Sequence, residues 1–371
     1  MKDIDSFIAL NRFGLGIGPG ESEAVEGAPK EWIKWQIVRH QTVPAALDAF
    51  PSSASIMKDI HEARLESPEK LRQVTRRHYR ETFGPEIVAR ARHMIKADTP
   101  FAERMVLFWS NHFTVSRTKA IVGPALPAYE REAIRPYIFG RFEDMLIAVA
   151  SHIGMVSYLD NNLSMGPNSP VGRRTGRALN ENLARELLEL HTLGVNGGYS
   201  QADVTEFAKA LTGWTHGGMV GRRRAIPVSG EFVFRNVMHE PGPKTILGKV
   251  YREDGFNEAK AVLHDLARHP STAQLIATKL VRHFVADDPP KPAVDRIARI
   301  FRDTDGDLAA ISRALVDLDV VWQHPLPKVK TPYELVISTL RSLDIDDPTP
   351  RMLRVPLETM GQQPFHAPSP Q

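Results

Sequence analysis

Residues 180–214 read NENLARELLELHTLGVNGGYSQADVTEFAKALTGW, and this stretch decides the fold. Its leucines recur at helical spacing from residue 180, and Gly194 is a residue type that commonly ends a helix in the left-handed conformation. Ser200, with Asp203 three residues later, is a variant of the capping box and predicts a second helix that runs to Leu211. The stretch therefore predicts a helix-turn-helix.

Helical spacing recurs along most of the chain. The segments that show it are 6–11, 29–40, 67–96, 101–113, 127–135, 142–151, 256–268, 271–285, 293–302, 307–316 and 332–343. Two short β patterns at 232–234 and 245–247 flank a Pro-Gly-Pro turn, and they predict one hairpin at about 230–252. We therefore expect an all-α (mainly α) fold, with residues 1–371 in a single large multi-helix domain of orthogonal or bundle-like packing. It carries one small β-hairpin insertion and an extended C-terminal segment, 361–371.

Composition narrows the class of protein. Apolar residues make up 42% of the 371 and charged residues 25%, which is typical of a globular chain. Cysteine is absent, which excludes disulfides, cysteine-ligated zinc and iron–sulfur clusters. No apolar run approaches the roughly 20 residues that a membrane span needs. The first residues lack a basic region followed by an apolar core, so we expect a cytoplasmic protein by default, with export left open.

Two basic clusters raise the question of nucleic-acid binding. They are Arg72, Arg76, Arg77, Arg80, Arg90, Arg92 and Lys96, and then Arg222, Arg223 and Arg224. A nucleic-acid site needs a basic face with aromatic or groove-reading partners. Acidic residues interleave with the first cluster, which is typical of a solvated helix face. Nucleic acid is therefore not an expected partner, and a small molecule or a polymer remains the open class of substrate.

Several partial motifs fail on their context. Glycines 14, 16 and 18 resemble a phosphate-binding loop, but they follow a helical pattern rather than a strand. His61-Glu62 and His239-Glu240 lack the second histidine of a zinc-protease helix. Residues 303–307 lack the acidic residue that closes a calcium loop, and a helix N-cap is the better interpretation. These motifs therefore assign no cofactor and no metal.

The first helix of the 180–214 stretch carries a polar stripe. We use this name for Asn182, Arg185, Glu186 and Glu189, which share one helical face. Two carboxylates one turn apart can bind a divalent metal or divide acid and base roles, and Arg185 can hold an anionic group. The alternative is a wet face on which i,i+4 ion pairs form, with His191, on the opposite side, serving as a core histidine.

Further polar or aromatic groups can converge on this stripe. The candidate catalytic residues are Glu186, Glu189, His112 and His191, and the candidate substrate-binding residues are Arg185, Asn182, Asp160, Trp214 and His239. Taken singly, Asp160 resembles a turn residue, and His112 and His239 resemble cap or surface residues. The sequence does not identify a metal or a cofactor for these residues.

The 180–214 stretch also closely resembles the hallmark of a bacterial domain-of-unknown-function family numbered 1800. Supporting matches are LNRFG at 10–14, MVLFWSNHF at 105–113, YLD at 158–160, His239 with Lys244 and Leu247-Gly248, and KTP at 330–332. The resemblance implies a helical bacterial protein without an established activity, cofactor or substrate, and it supplies no catalytic residue. It also implies that relatives continue beyond the segment at 361–365, so that this chain is a truncated form, and that many relatives carry export signals.

Two functions follow as hypotheses. The first is a metal-assisted or carboxylate-dependent hydrolase-type enzyme, which requires Glu186 and Glu189 to face a pocket rather than bulk water. The second is a non-catalytic binding or assembly module that contacts a polymer or protein partner through Trp214 and the hairpin. It requires an exposed aromatic patch at Trp214 and residues 232–234.

Overall fold

Helices dominate the computed structural model, which describes residues 4–217, 230–323 and 328–367. The first eleven are α1 (Ile4–Ile8), α2 (Glu21–Val25), α3 (Pro29–Arg39), α4 (Ala45–Asp48), α5 (Ser53–Glu66), α6 (Pro68–His78), α7 (Gly84–Lys96), α8 (Pro100–His112), α9 (Leu126–Tyr129), α10 (Phe142–Ser151) and α11 (Ile153–Tyr158). The next ten are α12 (Pro170–Thr175), α13 (Asn182–Glu186), α14 (Gln201–Leu211), α15 (Phe256–Arg268), α16 (Pro270–Phe284), α17 (Lys291–Asp303), α18 (Leu308–Val316), α19 (Asp319–Gln323), α20 (Pro332–Ser342) and α21 (Pro350–Thr359). The all-α fold class is confirmed.

Four helical stretches widen into π-helix, in which an N–H bonds the carbonyl five residues back. They are Ala9–Phe13, Tyr79–Phe83, Glu130–Ile134 and Leu187–Thr192. The last continues α13 inside the helix predicted from residue 180, and the Leu193 N–H closes it onto the Leu188 carbonyl at 2.8 Å. Short 3₁₀ turns lie at Gly123–Ala125, Arg135–Tyr137, Asn161–Leu163 and Asn236–Met238.

The predicted caps are present. Ser200 and Asp203 form a complete capping box at the start of α14, and Thr331 and Glu334 form another at the start of α20. The Asp307 side chain accepts the Ala310 N–H at 2.9 Å, so the 303–307 segment is a helix N-cap as predicted. These side chains satisfy backbone N–H groups that would otherwise lack partners.

Within the described residues, the strands form two small antiparallel pairs. β1 (Trp214–His216) pairs with β2 (Phe232–Phe234), and β3 (Lys244–Ile246) pairs with β4 (Lys249–Tyr251). The small β insertion is therefore present, but the two predicted strands do not pair with each other. Leu247 and Gly248 both have positive φ, which suits a tight two-residue hairpin turn and returns β3 onto β4. A leucine rarely adopts that conformation, so the sequence pattern concealed the turn.

The core runs through α8 and α16. α8 packs on α3, α16 packs on α17 and on the Leu187–Thr192 stretch, and α20 packs on α7. Aromatic rings fill the centre: Phe13 contacts both Phe101 of α8 and Phe284 of α16, with ring centroids 5.8 and 5.7 Å apart. Such contacts join the beginning of the chain to its later helices.

Five of the seven residues of the first basic cluster are paired at the surface, whereas Arg90 is buried and pairs with Glu130. Arg72, Arg77, Arg80, Arg92 and Lys96 each form an ion pair with a carboxylate. This is the solvated, paired arrangement that the interleaved acids predicted. The second cluster, residues 222–224, lies outside the described residues. Among the helices that the structure describes, none is both long and apolar enough to span a bilayer.

Candidate functional site

The polar stripe lies at the surface, but only part of it is fully exposed to solvent. The Arg185 guanidinium pairs with Glu181 at 3.2 Å and donates to Gln201 at 2.8 Å, while the Tyr199 hydroxyl donates to Glu189 at 3.0 Å. Glu186 is half-buried. Burial, and then the nearby charge of Glu189, raise the pKa of its carboxyl above the ordinary value. The two carboxylates therefore do interact, as the helical spacing predicted.

Two of the predicted binding residues line one open groove beside the stripe. Asp160 and Asn182 lie in a surface cavity of about 650 Å³ together with Arg177 and Asn180. Asp160 has a φ of 58° and pairs with Lys119, with 2.5 Å between amine and carboxylate. Glu186 and Glu189 do not line this groove, although Glu186 lies one helical turn beyond Asn182.

The two candidate catalytic histidines meet inside the protein, away from that groove. His112 and His191 are buried, with ring centroids 5.9 Å apart, and the His112 Nε2–H donates to the His191 carbonyl at 3.1 Å. Burial is the main cause that lowers both pKa values, that of His191 to about 3, so both rings are neutral. Lys279 of α16 joins them, and sequence reasoning had not singled it out.

Trp214 and His239 lie in the core. Trp214 is fully buried, with its ring centroid 5.4 Å from that of Phe232 and 5.1 Å from that of Phe256. A fully buried Trp214 argues against the binding module that requires it at the surface.

His239 is held between two polar partners. One ring nitrogen lies 2.8 Å from the Thr212 carbonyl and the other lies 2.9 Å from Glu258, which Lys244 also contacts at 3.0 Å. His239, Glu258 and Lys244 therefore form a buried ion cluster.

Metal-ligand geometry is missing from the part of the chain that the structure describes. No group of three or more histidine, aspartate and glutamate side chains is placed there to hold an ion.

A second site, which we call the cationic pocket, lies where residues 7–12 meet residues 328–334. Its volume is about 340 Å³, and its lining is Phe7, Asn11, Arg12, Arg104, His283, Lys328, Val329, Lys330, Thr331 and Glu334. Four of these side chains are cationic and one, Glu334, is a carboxylate. Such a concave, partly apolar site with convergent polar groups is the usual form of a small-molecule site.

Arg104 is the centre of this pocket. Its side chain is buried, with one Nη 3.3 Å from Glu334 and the other 3.3 Å from the His283 Nε2. Its Nε is also buried and has no hydrogen-bond partner among the described residues. The His283 ring is neutral, because burial and then the Arg104 charge lower its pKa to about 3.

The cations around Arg104 are crowded. Burial, followed by the charge of Arg104, lowers the pKa of Arg12 to about 10 and also lowers that of Lys330. The Arg12 guanidinium donates to the Val321 carbonyl at 2.6 Å, and Lys330 donates to the Asn11 side chain at 3.0 Å. Holding these positive charges close together therefore destabilises the folded protein.

Four parts of the sequence build the pocket. Asn11 and Arg12 come from the Ala9–Phe13 π-helical stretch, Arg104 from α8, His283 from α16, and Lys330 from the segment that caps α20. Sequence reasoning missed this site. The available signal was that LNRFG and KTP, both noted for the resemblance, carry these cations at opposite ends of the chain.

Comparison with known proteins places the chain in a family. A family model described as "Protein of unknown function (DUF1800)" matches residues 8–371. The match covers nearly the whole sequence, so the chain belongs to this family. No curated protein and no solved structure matches the chain.

Proposed function

We propose that this member of the DUF1800 family binds a small anionic molecule in the cationic pocket, through phosphate or carboxylate oxygens. The observation that supports this proposal is the environment of Arg104. Its guanidinium is buried, and its Nε lacks a hydrogen-bond partner among the described residues. Three further cations line the same pocket. A buried donor without a partner destabilises the fold by about 1–3 kcal/mol. An anion in the pocket compensates the buried positive charge of this guanidinium.

Charge supports the same proposal. Burial, and then the charge of Arg104, lower the pKa values of both Arg12 and Lys330, so the pocket brings positive groups together against their mutual repulsion. Glu334 is already committed, since it pairs with Arg104 and accepts the Thr331 N–H at 3.0 Å. An incoming anion relieves the repulsion, and a guanidinium matches the fork of a carboxylate or phosphate.

The lining also limits the kind of ligand. A volume of about 340 Å³ falls at the lower end of the range for small-molecule sites. Phe7 and Val329 add apolar wall to the cationic groups. A compact organic anion with some apolar surface fits this combination better than an extended polymer does.

Thermal unfolding with a panel of anions tests the proposal. We expect phosphate, phenyl phosphate or benzoate to raise Tm in a saturable way at constant ionic strength, relative to chloride. Lys330→Gln should weaken the response about tenfold or more, and the matched variant Lys291→Gln, whose amine is exposed on α17, should leave it unchanged. Equal responses in all three proteins, or no response beyond chloride, would contradict the proposal.

Carboxylate-dependent chemistry at the polar stripe is a second candidate. The observation that favours it is the pKa of Glu186, which burial and then the charge of Glu189 raise above the ordinary value, the direction that suits a general acid. Catalytic roles for His112 and His191, and binding roles for Arg185, Asn182, Asp160, Trp214 and His239, belong to this same proposal. The exposed groove at Asp160 and Asn182 is the nearest place for a substrate.

A panel of ester, phosphoester and glycoside substrates tests this second candidate. Glu186→Gln removes the titrating carboxyl at nearly constant shape, and Glu206→Gln is the matched change on α14, where the carboxylate pairs with Lys209. We expect any hydrolysis to be lost in the first variant and kept in the second. Hydrolysis that is equal in both variants, or absent from the parent protein, would remove the candidate.

A further inference from the structure

Lys279 of α16 lies where α8 and the Leu187–Thr192 stretch meet. Its Nζ donates to the His112 Nδ1 at 3.1 Å and to the Leu190 carbonyl at 3.0 Å, and the side chain is part-exposed. We propose that Lys279 is a carbonyl-reactive amine, which forms an imine with a small aldehyde or ketone. This inference is independent of the cationic pocket.

The contacts of Lys279 favour the neutral amine. Both of its acceptors are uncharged, and no carboxylate pairs with it in the described part of the chain. His112 and His191 face it as neutral rings, and Arg282 on its own helix adds positive charge. An ammonium group that is partly removed from water without a counter-ion is destabilised. Partial burial therefore destabilises the charged form of Lys279 more than it destabilises the neutral form.

Burial, and then the charge of Arg282, lower the pKa of Lys279 to about 8. At pH 7 the neutral fraction is then about two orders of magnitude larger than for a lysine with an ordinary pKa. A desolvated lysine beside another cation is a recognised form of activated nucleophile. The environment of Lys279 combines both features.

The reaction needs no oxidant and no cofactor. The lone pair of the neutral Nζ adds to the carbonyl carbon, and the carbonyl oxygen takes up a proton as the amine loses one. The resulting carbinolamine expels water to give the imine. His112 is a positioning residue, because its Nε2–H is committed to the His191 carbonyl and its Nδ1 is left as the acceptor that orients Nζ.

The amine is separate from the cationic pocket. Phe108 lies between them, with its ring centroid 6.4 Å from that of His112 and 5.4 Å from that of His283. Lys279 lies one helical turn before His283 on α16 but is not among the residues that line the pocket, so the failure of either proposal leaves the other standing.

Limited reductive methylation of the whole protein tests the inference. Formaldehyde at low occupancy is the carbonyl probe, cyanoborohydride traps the imine, and peptide mass spectrometry gives a rate constant for each lysine. Lys291, whose side chain is 82% exposed, is the internal control. At pH 7 we expect Lys279 to react at least about tenfold faster than Lys291, and the difference to close as the pH rises toward 10.

The same measurement in urea shows whether the fold causes the reactivity. We expect the unfolded chain to label Lys279 and Lys291 at equal rates. Labelling of Lys279 at or below the rate of Lys291 in the folded protein would overturn the inference. An advantage that persists in urea would overturn it as well, because it would then come from local sequence.

Discussion

Arg104 is the residue on which the proposed anion site depends most. It lies in the run FAERMVLFW, where the neighbouring apolar residues predict a buried helix. A charged residue in such a run is expected to reach the surface along its stem. In the structure its guanidinium stays inside and meets Glu334, which is 230 positions away in the sequence. That pairing depends on tertiary contacts, so local spacing could not predict it.

Glu186→Gln tests the electrostatics of the polar stripe. The folded-state pKa of Glu186 is raised, so the ionised carboxyl destabilises the folded state once the pH exceeds the unfolded value of about 4.3. Solvent screens this half-buried group, and we expect the variant to be more stable at pH 7 by only a few tenths of a kcal/mol. The gain should vanish near pH 4. Urea unfolding at the two pH values measures it, and a variant less stable at pH 7 would contradict this view.

Lys244→Met tests the buried ion cluster that holds His239. Lys244 and Glu258 are both almost fully buried, so removal of the amine leaves a buried carboxylate with less compensation. We expect a loss of about 3–5 kcal/mol in unfolding free energy. Lys249→Met, which breaks the more exposed pair with Asp265, is the control and should change stability by less than about 1 kcal/mol. Similar losses in both variants would be inconsistent with the cluster.

At the scale of elements, the sequence predicted those features that depend on residues close together in the chain. The sequence predicted the capping boxes at Ser200 and Thr331 and the cap at Asp307, because each side chain and its backbone partner lie within three residues. The strand pairing could not be predicted, because β2 pairs with β1 at Trp214, where the sequence pattern indicated no strand, rather than with β3. The π-helical stretches also escaped prediction, since spacing arguments assume 3.6 residues per turn.

An ion network joins α7, α8 and the Glu130–Ile134 stretch. Glu130 accepts from Arg90 at 2.7 Å and from the Ser110 hydroxyl at 2.8 Å, and it also lies 3.3 Å from Arg135. Arg135 in turn pairs with Glu103 of α8 at 2.8 Å. All the charged members are buried, so the network fixes how these elements pack.

Glu130→Gln should therefore weaken the packing of these elements. The amide cannot compensate two buried guanidinium groups, and we expect a loss of about 3–5 kcal/mol. Glu69→Gln, at an exposed pair with Arg72 on α6, is the matched control and should change stability by less than about 1 kcal/mol. Urea unfolding compares the two variants. A loss below about 1 kcal/mol for Glu130→Gln would show that the network does not hold the elements together.

At the scale of the whole molecule, distant parts of the chain share one site. Lys330 and Asn11 are 319 positions apart, and their hydrogen bond lies at the cationic pocket. Sequence reasoning identified both segments as parts of a family signature but could not place them together, because it had no information on tertiary contacts. We propose on this basis that residues 1–371 act as one domain and unfold in a single transition.

Acid should trigger that transition. His61 and His216 stack at 4.7 Å, and burial, the first cause for each, lowers both pKa values to about 4. Because the folded pKa lies below the unfolded value of 6.5, stability is complete above pH 6.5 and falls as the pH drops toward 4. Each of these buried rings contributes up to about 3 kcal/mol to that loss.

The pH dependence of unfolding free energy between 7 and 4 measures this effect. His216→Gln should make the dependence shallower, while His264→Gln, on the exposed face of α15, should not alter it. A slope that is the same in all three proteins would show that the histidine pair does not control acid stability. Two separate transitions in the parent protein would contradict the single-domain proposal.

The most direct test of the central claim is a crystal structure of the protein grown with selenate, a phosphate-like anion with an anomalous signal. We expect a selenate peak in the cationic pocket, beside the Arg104 guanidinium and within hydrogen-bond distance of the Lys330 Nζ, which disappears in Lys330→Gln crystals grown under the same conditions. A pocket without a peak while selenate occupies other surface sites would contradict the claim. A peak that is unchanged in the variant would mark an adventitious ion only, and the claim would fail.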